Sequence, residues 1–316
     1  MTCTTRPAPG QDIGTGVWLA TWPSARAGNR ILPRMELPAS SVVEFYNRHP
    51  ISEGQVVDAL RRLGKDLERL EPEDLYDLDQ DHYGGLEAVE ALARRARIDA
   101  TSRVLDVCAG LAGPARFIAR RWGARVTGVD LNAERATGAR RLTARVGLAR
   151  LVVMVRADAQ SLPFPPAVFT AVVSQEGLLH VPDKGRALAE CGRVLVPGGR
   201  IALSDWISTA RLSLNERHRL EQWMAAVTLQ SIESYKILLA RAGFAAIQAE
   251  DLSPEWSGIL RRRREMFRGM HEDTVARLGQ SRYDEYDQLY AFFVGLVEAG
   301  KLGGARFSAT AGPGIS

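Results

Sequence analysis

Three acids, a run of small residues and one histidine carry the chemistry open to this sequence. Val104-Leu105-Asp106-Val107-Cys108-Ala109-Gly110-Leu111-Ala112-Gly113-Pro114 starts as a short apolar run and breaks into small residues. It continues as Ala115-Arg116-Phe117-Ile118-Ala119-Arg120. That order predicts a buried strand, a tight turn and a helix, with Pro114 at the first helical position, where a missing N–H costs nothing. Such a turn lets a ligand reach the backbone and the free N–H groups of a helix start. Asp106 stands in the strand end. A carboxylate there repels a pyrophosphate and suits an ammonium or sulfonium charge. The dinucleotide pattern G-x-G-x-x-G also fails at its first position, which is Cys108. The plain alternative is a strand–helix turn that binds nothing.

Two further acids follow at matching places. Asp130 ends a second strand, where it can accept from two ribose hydroxyls; capping the helix that begins near Asn132 is its other reading. Asp158, after a third strand, can accept from an adenine amino group or serve as an ordinary turn acid. With Asp106 these acids favour S-adenosylmethionine over a nicotinamide dinucleotide. Cys108, Ala109, Gly110, Gly113, Leu131, Ala159 and Gln175 complete the expected cofactor contacts. After the fourth strand, Glu176 is placed to touch cofactor or substrate. His180 is a base candidate, or a structural residue of the turn. Asp81-His82-Tyr83-Gly84-Gly85 reads as a lid over the cofactor or as a surface loop. Tyr83 is a further catalytic candidate, and His82 a substrate contact. Tyr83, Trp206 and Trp223 would form an aromatic wall for a methylated cation, or else pack in the core. Arg261 to Arg264 read as a solvated helix face, with capture of an anionic substrate group as the other reading.

The elements that must position these groups alternate. Strands are expected at Ala124–Val129, Leu151–Val155, Phe169–Ser174, Arg200–Trp206, Phe244–Asp251 and Ala305–Thr310, beside the one ending at Val107. Helices are expected at Ser40–Asn47, Ser52–Leu70, Leu86–Arg97, Ala133–Val146, Asp183–Val194, Ser213–Leu229, Ser231–Ala242, Trp256–Leu278 and Tyr283–Ala299. Pro197-Gly198-Gly199 reads as a helix stop. The alternation implies an α/β, doubly wound parallel sheet with helices on both faces. Residues 1–38, with Met35 as an alternative start, read as a disordered extension. Residues 39–98 read as an N-terminal helical region and lid. Residues 99–310 read as the cofactor-binding domain, with substrate-cap insertions near 211–230 and 255–300.

Composition narrows the class. Of 316 residues, 46% are hydrophobic and 25% charged, ordinary for a globular chain able to form a core. A net charge of +4 is too balanced to point to nucleic acid. Cys3, Cys108 and Cys191 are scattered without metal-ligand spacing, which suits a reducing cytoplasm and no metal centre. No apolar run reaches the roughly 20 residues of a membrane span. Oligomeric state has no signature here, and a homodimer stays open.

By these motifs the chain resembles the class I S-adenosylmethionine-dependent methyltransferases. Leu105 to Gly113 is similar to the family's first motif. Val129-Asp130, Asp158-Ala159 and Leu195-Val196-Pro197-Gly198-Gly199-Arg200 are similar to the later ones. Asp106-Val107-Cys108 with Gly113-Pro114-Ala115-Arg116 resembles the sarcosine/dimethylglycine N-methyltransferase-like branch, near the sterol and tocopherol C-methyltransferases. Asp81 to Gly85 and the Gly300–Phe307 stretch resemble the same small-molecule branch. Cys108 and Ala112 depart from the pattern, which has glycine there; both are small enough for the loop. The resemblance implies a Rossmann-like sheet of seven strands, the last antiparallel by a hairpin. It also implies methyl transfer to a small molecule, an amine nitrogen first, with thioether S-, C- or O-methylation as alternatives. A dinucleotide oxidoreductase and a non-catalytic cofactor-binding protein are the readings from other classes.

Overall fold

The computed structural model describes residues 40–47, 52–80 and 82–312. The expectations for residues 1–38, Met35 and Asp81 lie outside them. Seven strands form one sheet: β1 (Arg103–Val107), β2 (Arg125–Asp130), β3 (Val152–Arg156), β4 (Phe169–Gln175), β5 (Leu195–Ser208), β6 (Phe244–Asp251) and β7 (Leu302–Ala311). Their spatial order is β3-β2-β1-β4-β5-β7-β6. The first five run parallel, and β7 pairs antiparallel with both β5 and β6. The helices are α1 (Ser40–Asn47), α2 (Glu53–Arg62), α3 (Gly85–Arg95), α4 (Gly113–Trp122), α5 (Ala133–Arg145) and α6 (Lys184–Val194). They continue as α7 (Leu214–Met224), α8 (Ile232–Arg241), α9 (Ser253–Gly269), α10 (His271–Leu278) and α11 (Gln280–Glu298).

The central strands are apolar on both faces because helices cover both. Val104, Val126 and Ala171 pack with Leu92 of α3, Ile118 of α4 and Leu142 of α5. Leu105, Val107 and Val172 face the other way, against Leu188 of α6 and Leu239 of α8. Alternation along β1 therefore puts Asp106 on the α3–α4–α5 face. A third apolar cluster, around Trp206, Leu220, Trp256 and Phe293, lies under α7, α9 and α11.

The structure moves several expected boundaries. The helix expected over Ser52–Leu70 ends at Arg62, because Gly64 takes a left-handed φ of 70°. That expected over Ser213–Leu229 ends at Met224, where Ala225 turns left-handed at φ 49°. The stretch read as one helix from Trp256 to Leu278 begins at Ser253 and breaks at Met270 into α9 and α10. Pro197-Gly198-Gly199 does not separate helix from strand. β5 already starts at Leu195 and bulges against β4 between Phe169 and Ala171. The antiparallel last strand is present, but not through a hairpin. The chain from β6 to β7 passes through α9, α10 and α11, which form the cap.

Candidate active site

A cavity of about 1020 Å³, counting its open mouth, lies at the carboxyl ends of β1, β2 and β4. Asp106, Cys108, Ala109, Gly110, Asp130, Leu131, Asp158, Ala159, Gln175, Glu176 and His180 all line it, as does His82. The turn after β1 is strained in a telling way. Cys108, Gly110 and Ala112 have φ of 60°, 55° and 62°. Cys108 and Ala112 thus hold the left-handed conformation for which the family pattern has glycine. Gly177 lets the β4 loop approach this turn, since a Cβ there would lie 2.3 Å from that of Cys108.

Asp130 is tied down by the backbone. Its Oδ2 accepts from Gly110 N at 2.8 Å, and its Oδ1 from Asn132 N at 2.9 Å. Asn132 caps α5 by accepting from Glu134 N and Arg135 N. Its amide donates to Asn47 Oδ1 at 2.7 Å and Val43 O at 3.3 Å, joining α1 to the same corner. Asp158 Oδ1 accepts from Gln160 N at 2.8 Å. Asp106 differs from these. It is 3% exposed, and its Oδ2 has no partner among the described residues. Burial, helped by Asp130, pushes its carboxyl up to about 8.

At the opposite wall, His180 Nδ1 lies 2.9 Å from Ala225 O and Nε2 lies 2.6 Å from Tyr46 Oη. Burial holds the ring down to about 4, so it is neutral near pH 7. A neutral ring with a carbonyl at Nδ1 must carry its proton there. Nε2 is then an acceptor, and Tyr46 donates to it. The Arg135 guanidinium stacks on the Tyr46 ring at 4.6 Å. The turn that carries His180 is fixed from behind. Asp205 Oδ1 accepts from Leu179 N at 3.2 Å, and its Oδ2 holds Lys184 Nζ at 3.2 Å and the Tyr235 hydroxyl. Lys184 also donates to Leu178 O. Glu176 Oε1 accepts from Tyr83 N at 2.7 Å, joining the wall to the segment before α3.

Four expected contacts fall elsewhere. Gly113 does not line the cavity; a Cβ there would sit 2.3 Å from Asp79 O, so its smallness serves close packing behind the turn. The Tyr83 ring stacks on Trp256 at 5.1 Å, and burial raises its hydroxyl pKa, so this group is no base near pH 7. Trp206, 4% exposed, packs edge-on against Tyr83 and Trp256. Trp223 meets Phe292 at 5.2 Å. Core packing thus claims these rings, and none lines the cavity. His82 does line it, but Nε2 is engaged with Gln80 Oε1 at 2.9 Å. Arg261 pairs with Glu298 on an exposed face, as the solvated reading has it; Arg264, half-buried, pairs with Asp287, and Arg263 stacks on the Tyr83 ring at 4.3 Å. Tyr46, Arg135 and Asn132 escaped the sequence reading. Tyr46 meets His180 and Arg135, and Asn132 meets Asn47 and Val43, across tens of residues, and no spacing announces those contacts.

The cavity fits an S-adenosyl cofactor on its own features. Asp106 offers an orphaned buried acceptor at the strand end, and the cramped turn at Gly110 leaves backbone exposed. Asp130 and Asp158 stand in line toward the sheet edge at β3. Comparisons with known proteins agree. The family described as Methyltransferase domain matches residues 105–203. The 27-O-demethylrifamycin SV methyltransferase of Amycolatopsis mediterranei is 30% identical over 62% of this chain and 73% of its own length. The glycine/sarcosine/dimethylglycine N-methyltransferase of Actinopolyspora halophila is 32% identical, over 52% of this chain and only 29% of its own length. Among solved structures, phosphoethanolamine N-methyltransferase 2 of Haemonchus contortus, bound to phosphomonomethylethanolamine and S-adenosylhomocysteine, shares the fold. It superposes with a TM-score of 0.71 at 22% identity, covering 86% of this chain and 60% of that one. A strand-end acid, a glycine-poor turn that keeps the glycine backbone shape, and a relative matched over most of its length converge: the chain belongs to the S-adenosylmethionine-dependent methyltransferases.

Proposed function

We propose that this enzyme methylates a protic nucleophile of a small molecule, an amine nitrogen of an amino-acid-like substrate first. When bound, S-adenosylmethionine supplies a sulfonium methyl, an electrophile that needs no further activation. The protein's task is to aim the nucleophile and exclude water. The observation that carries the reading is the Tyr46–His180 pair at the cavity wall. Tyr46 donates to His180 Nε2, and a phenol oxygen that donates its hydrogen still carries lone pairs able to meet a substrate N–H or O–H. Accepting that hydrogen turns the nucleophile's lone pair away from Tyr46. As the new bond to carbon forms and the bond to sulfur breaks, the nitrogen's proton has a path through Tyr46 to His180 Nε2. A thioether or a carbon nucleophile offers no such hydrogen. Glu176, lining the same wall, is an acidic group that disfavours an anionic substrate beside it. The N-methyltransferase of Actinopolyspora halophila, 32% identical over its matched part, supports the amine. The rifamycin relative favours a second reading, a natural-product hydroxyl, which is protic as well.

In this reading α1 and the segment through His82 and Tyr83 cover the cofactor, and α7 with α9–α11 shape the substrate side. Labelled-methyl transfer to a panel of small amines, phenols, alcohols and thioethers tests it. The expected result is transfer to an amine. Tyr46→Phe should lower kcat by about 100-fold while leaving S-adenosylhomocysteine affinity unchanged. Transfer to a thioether at the highest rate, unaffected by Tyr46→Phe, would overturn the assignment.

A further inference from the structure

Gln175 presents a buried amide to the cavity, and a chain of hydrogen bonds dictates which way that amide points. The chain begins at a group that can only donate. Arg116 is 1% exposed and gives both Nε and Nη2 to Asp79 Oδ2, at 3.3 and 2.7 Å, while Nη1 donates to Thr143 Oγ1. Asp79, itself buried, is left to accept at Oδ1, which lies 2.7 Å from Gln80 Nε2. An amide must turn its NH₂ to a carboxylate, so Gln80 turns its oxygen the other way. That oxygen lies 2.9 Å from His82 Nε2, so Nε2 carries the imidazole proton and Nδ1 is an acceptor. Gln175 Nε2 lies 3.4 Å from His82 Nδ1 and donates to it. The Tyr83 carbonyl, 3.3 Å from the same nitrogen, would be served only by the other tautomer. Each link inherits its polarity from the one before.

The last atom of the chain is the informative one. Gln175 Oε1 is buried and has no partner among the described residues. On the neighbouring strand, Asp106 Oδ2 is in the same condition. Asp106 is in register with Val173, and Gln175 lies two residues beyond it on the same face of the sheet. Two orphaned acceptors therefore converge where β1 and β4 end. Asp130 and Asp158, the acids suited to ribose and adenine, lie on the β2–β3 side. The β1–β4 side is left for the opposite end of the cofactor.

We propose that Gln175 Oε1, beside Asp106, accepts from the α-ammonium of the cofactor's methionyl group. Arg116, Asp79, Gln80 and His82 are the positioning residues that hold the amide oxygen toward it. This rests on reading the cavity as the cofactor site. It also gives Gly113 a purpose: a Cβ there would lie 2.7 Å from Gln80 Nε2 and push the chain out of line.

Calorimetric binding of S-adenosylhomocysteine, and of its analogue with hydrogen in place of the α-ammonium, tests the proposal. The wild-type protein should prefer S-adenosylhomocysteine strongly. Gln175→Leu should weaken S-adenosylhomocysteine by about 10- to 100-fold and leave the analogue unchanged. Gln80→Met, which breaks the chain without touching the ligand, should shrink the same preference. Nitrogen NMR of the wild-type His82 ring, assigned by loss of its signal in His82→Asn, needs no variant of the chain to be stable for binding and should show the Nε2–H tautomer. Equal weakening of both ligands by Gln175→Leu, or an Nδ1–H tautomer, overturns the proposal and spares the cofactor site. Failure of the wild-type protein to bind S-adenosylhomocysteine overturns both.

Discussion

On the cofactor side of the sheet, Asp106, Asp130 and Asp158 line an open cavity bounded by backbone, small residues and polar side chains. On the cap side, Tyr83, Trp206, Trp256 and Phe293 pack against one another, with successive ring centroids 5.0 to 6.3 Å apart. One region keeps room and, at its strand ends, the unpartnered acceptors Asp106 Oδ2 and Gln175 Oε1; the other is packed ring against ring. The first is built to exchange a charged ligand, the second to stay rigid while that exchange occurs. Between them runs the turn Leu178–His180, anchored from behind by Asp205, Lys184 and Tyr235.

If that division holds, damage to the two regions should read out differently. Trp256→Ala removes a ring that is 2% exposed and should cost about 3–5 kcal/mol of stability, seen in denaturant unfolding. S-adenosylhomocysteine affinity should stay within about threefold. Asp130→Ala should act mainly on the ligand. Stability should fall by about 1–3 kcal/mol, because the Gly110 and Asn132 N–H groups lose their acceptor, while calorimetry shows affinity falling by about 100-fold, or ~2.7 kcal/mol. Tyr235→Phe probes the turn between the regions. It removes one hydrogen bond to a buried carboxylate, so kcat should fall by about tenfold in steady-state assays with affinity kept. A matching loss of affinity would merge the turn with the cofactor region. Ala112→Gly is the smallest effect. It relieves a left-handed alanine and should raise stability by less than about 1 kcal/mol; a loss larger than that would mean the turn bears no strain.

The same contrast explains what the sequence disclosed. The cofactor side is written in contiguous stretches, because a strand end and the turn after it must lie next to each other in the chain. Asp106 with Gly110, and the strand-end acids Asp130 and Asp158, were therefore legible together with the seven-stranded fold. The sequence does not disclose what Gly113 packs against, because its neighbour, Asp79, lies far back in the chain. Tyr46 and His180 are 134 residues apart and meet only through folding. For Tyr83 and Trp206 the sequence leaves a substrate wall and core packing both open, because aromatic residues look alike whether they bind ligands or fill a core. Trp256, from a third segment, decides between these readings here. One helix end was lost where a non-glycine residue, Ala225, takes the left-handed turn; another was missed although Gly64 marks it.

The central claim is that the cavity's inner acid awaits a cation. Asp106 is held up to about 8 in the free protein, first by burial and then by Asp130, so it carries its proton below that pH. A cationic ligand favours the ionised carboxylate, so binding must expel the proton, and affinity should rise with pH until about 8 and level off above it. Proton release on S-adenosylhomocysteine binding at pH 7, measured calorimetrically in buffers of different ionisation enthalpy, tests this directly. The account predicts release approaching one proton per protein, abolished in Asp106→Asn. Binding with no proton released by the wild-type protein would contradict it.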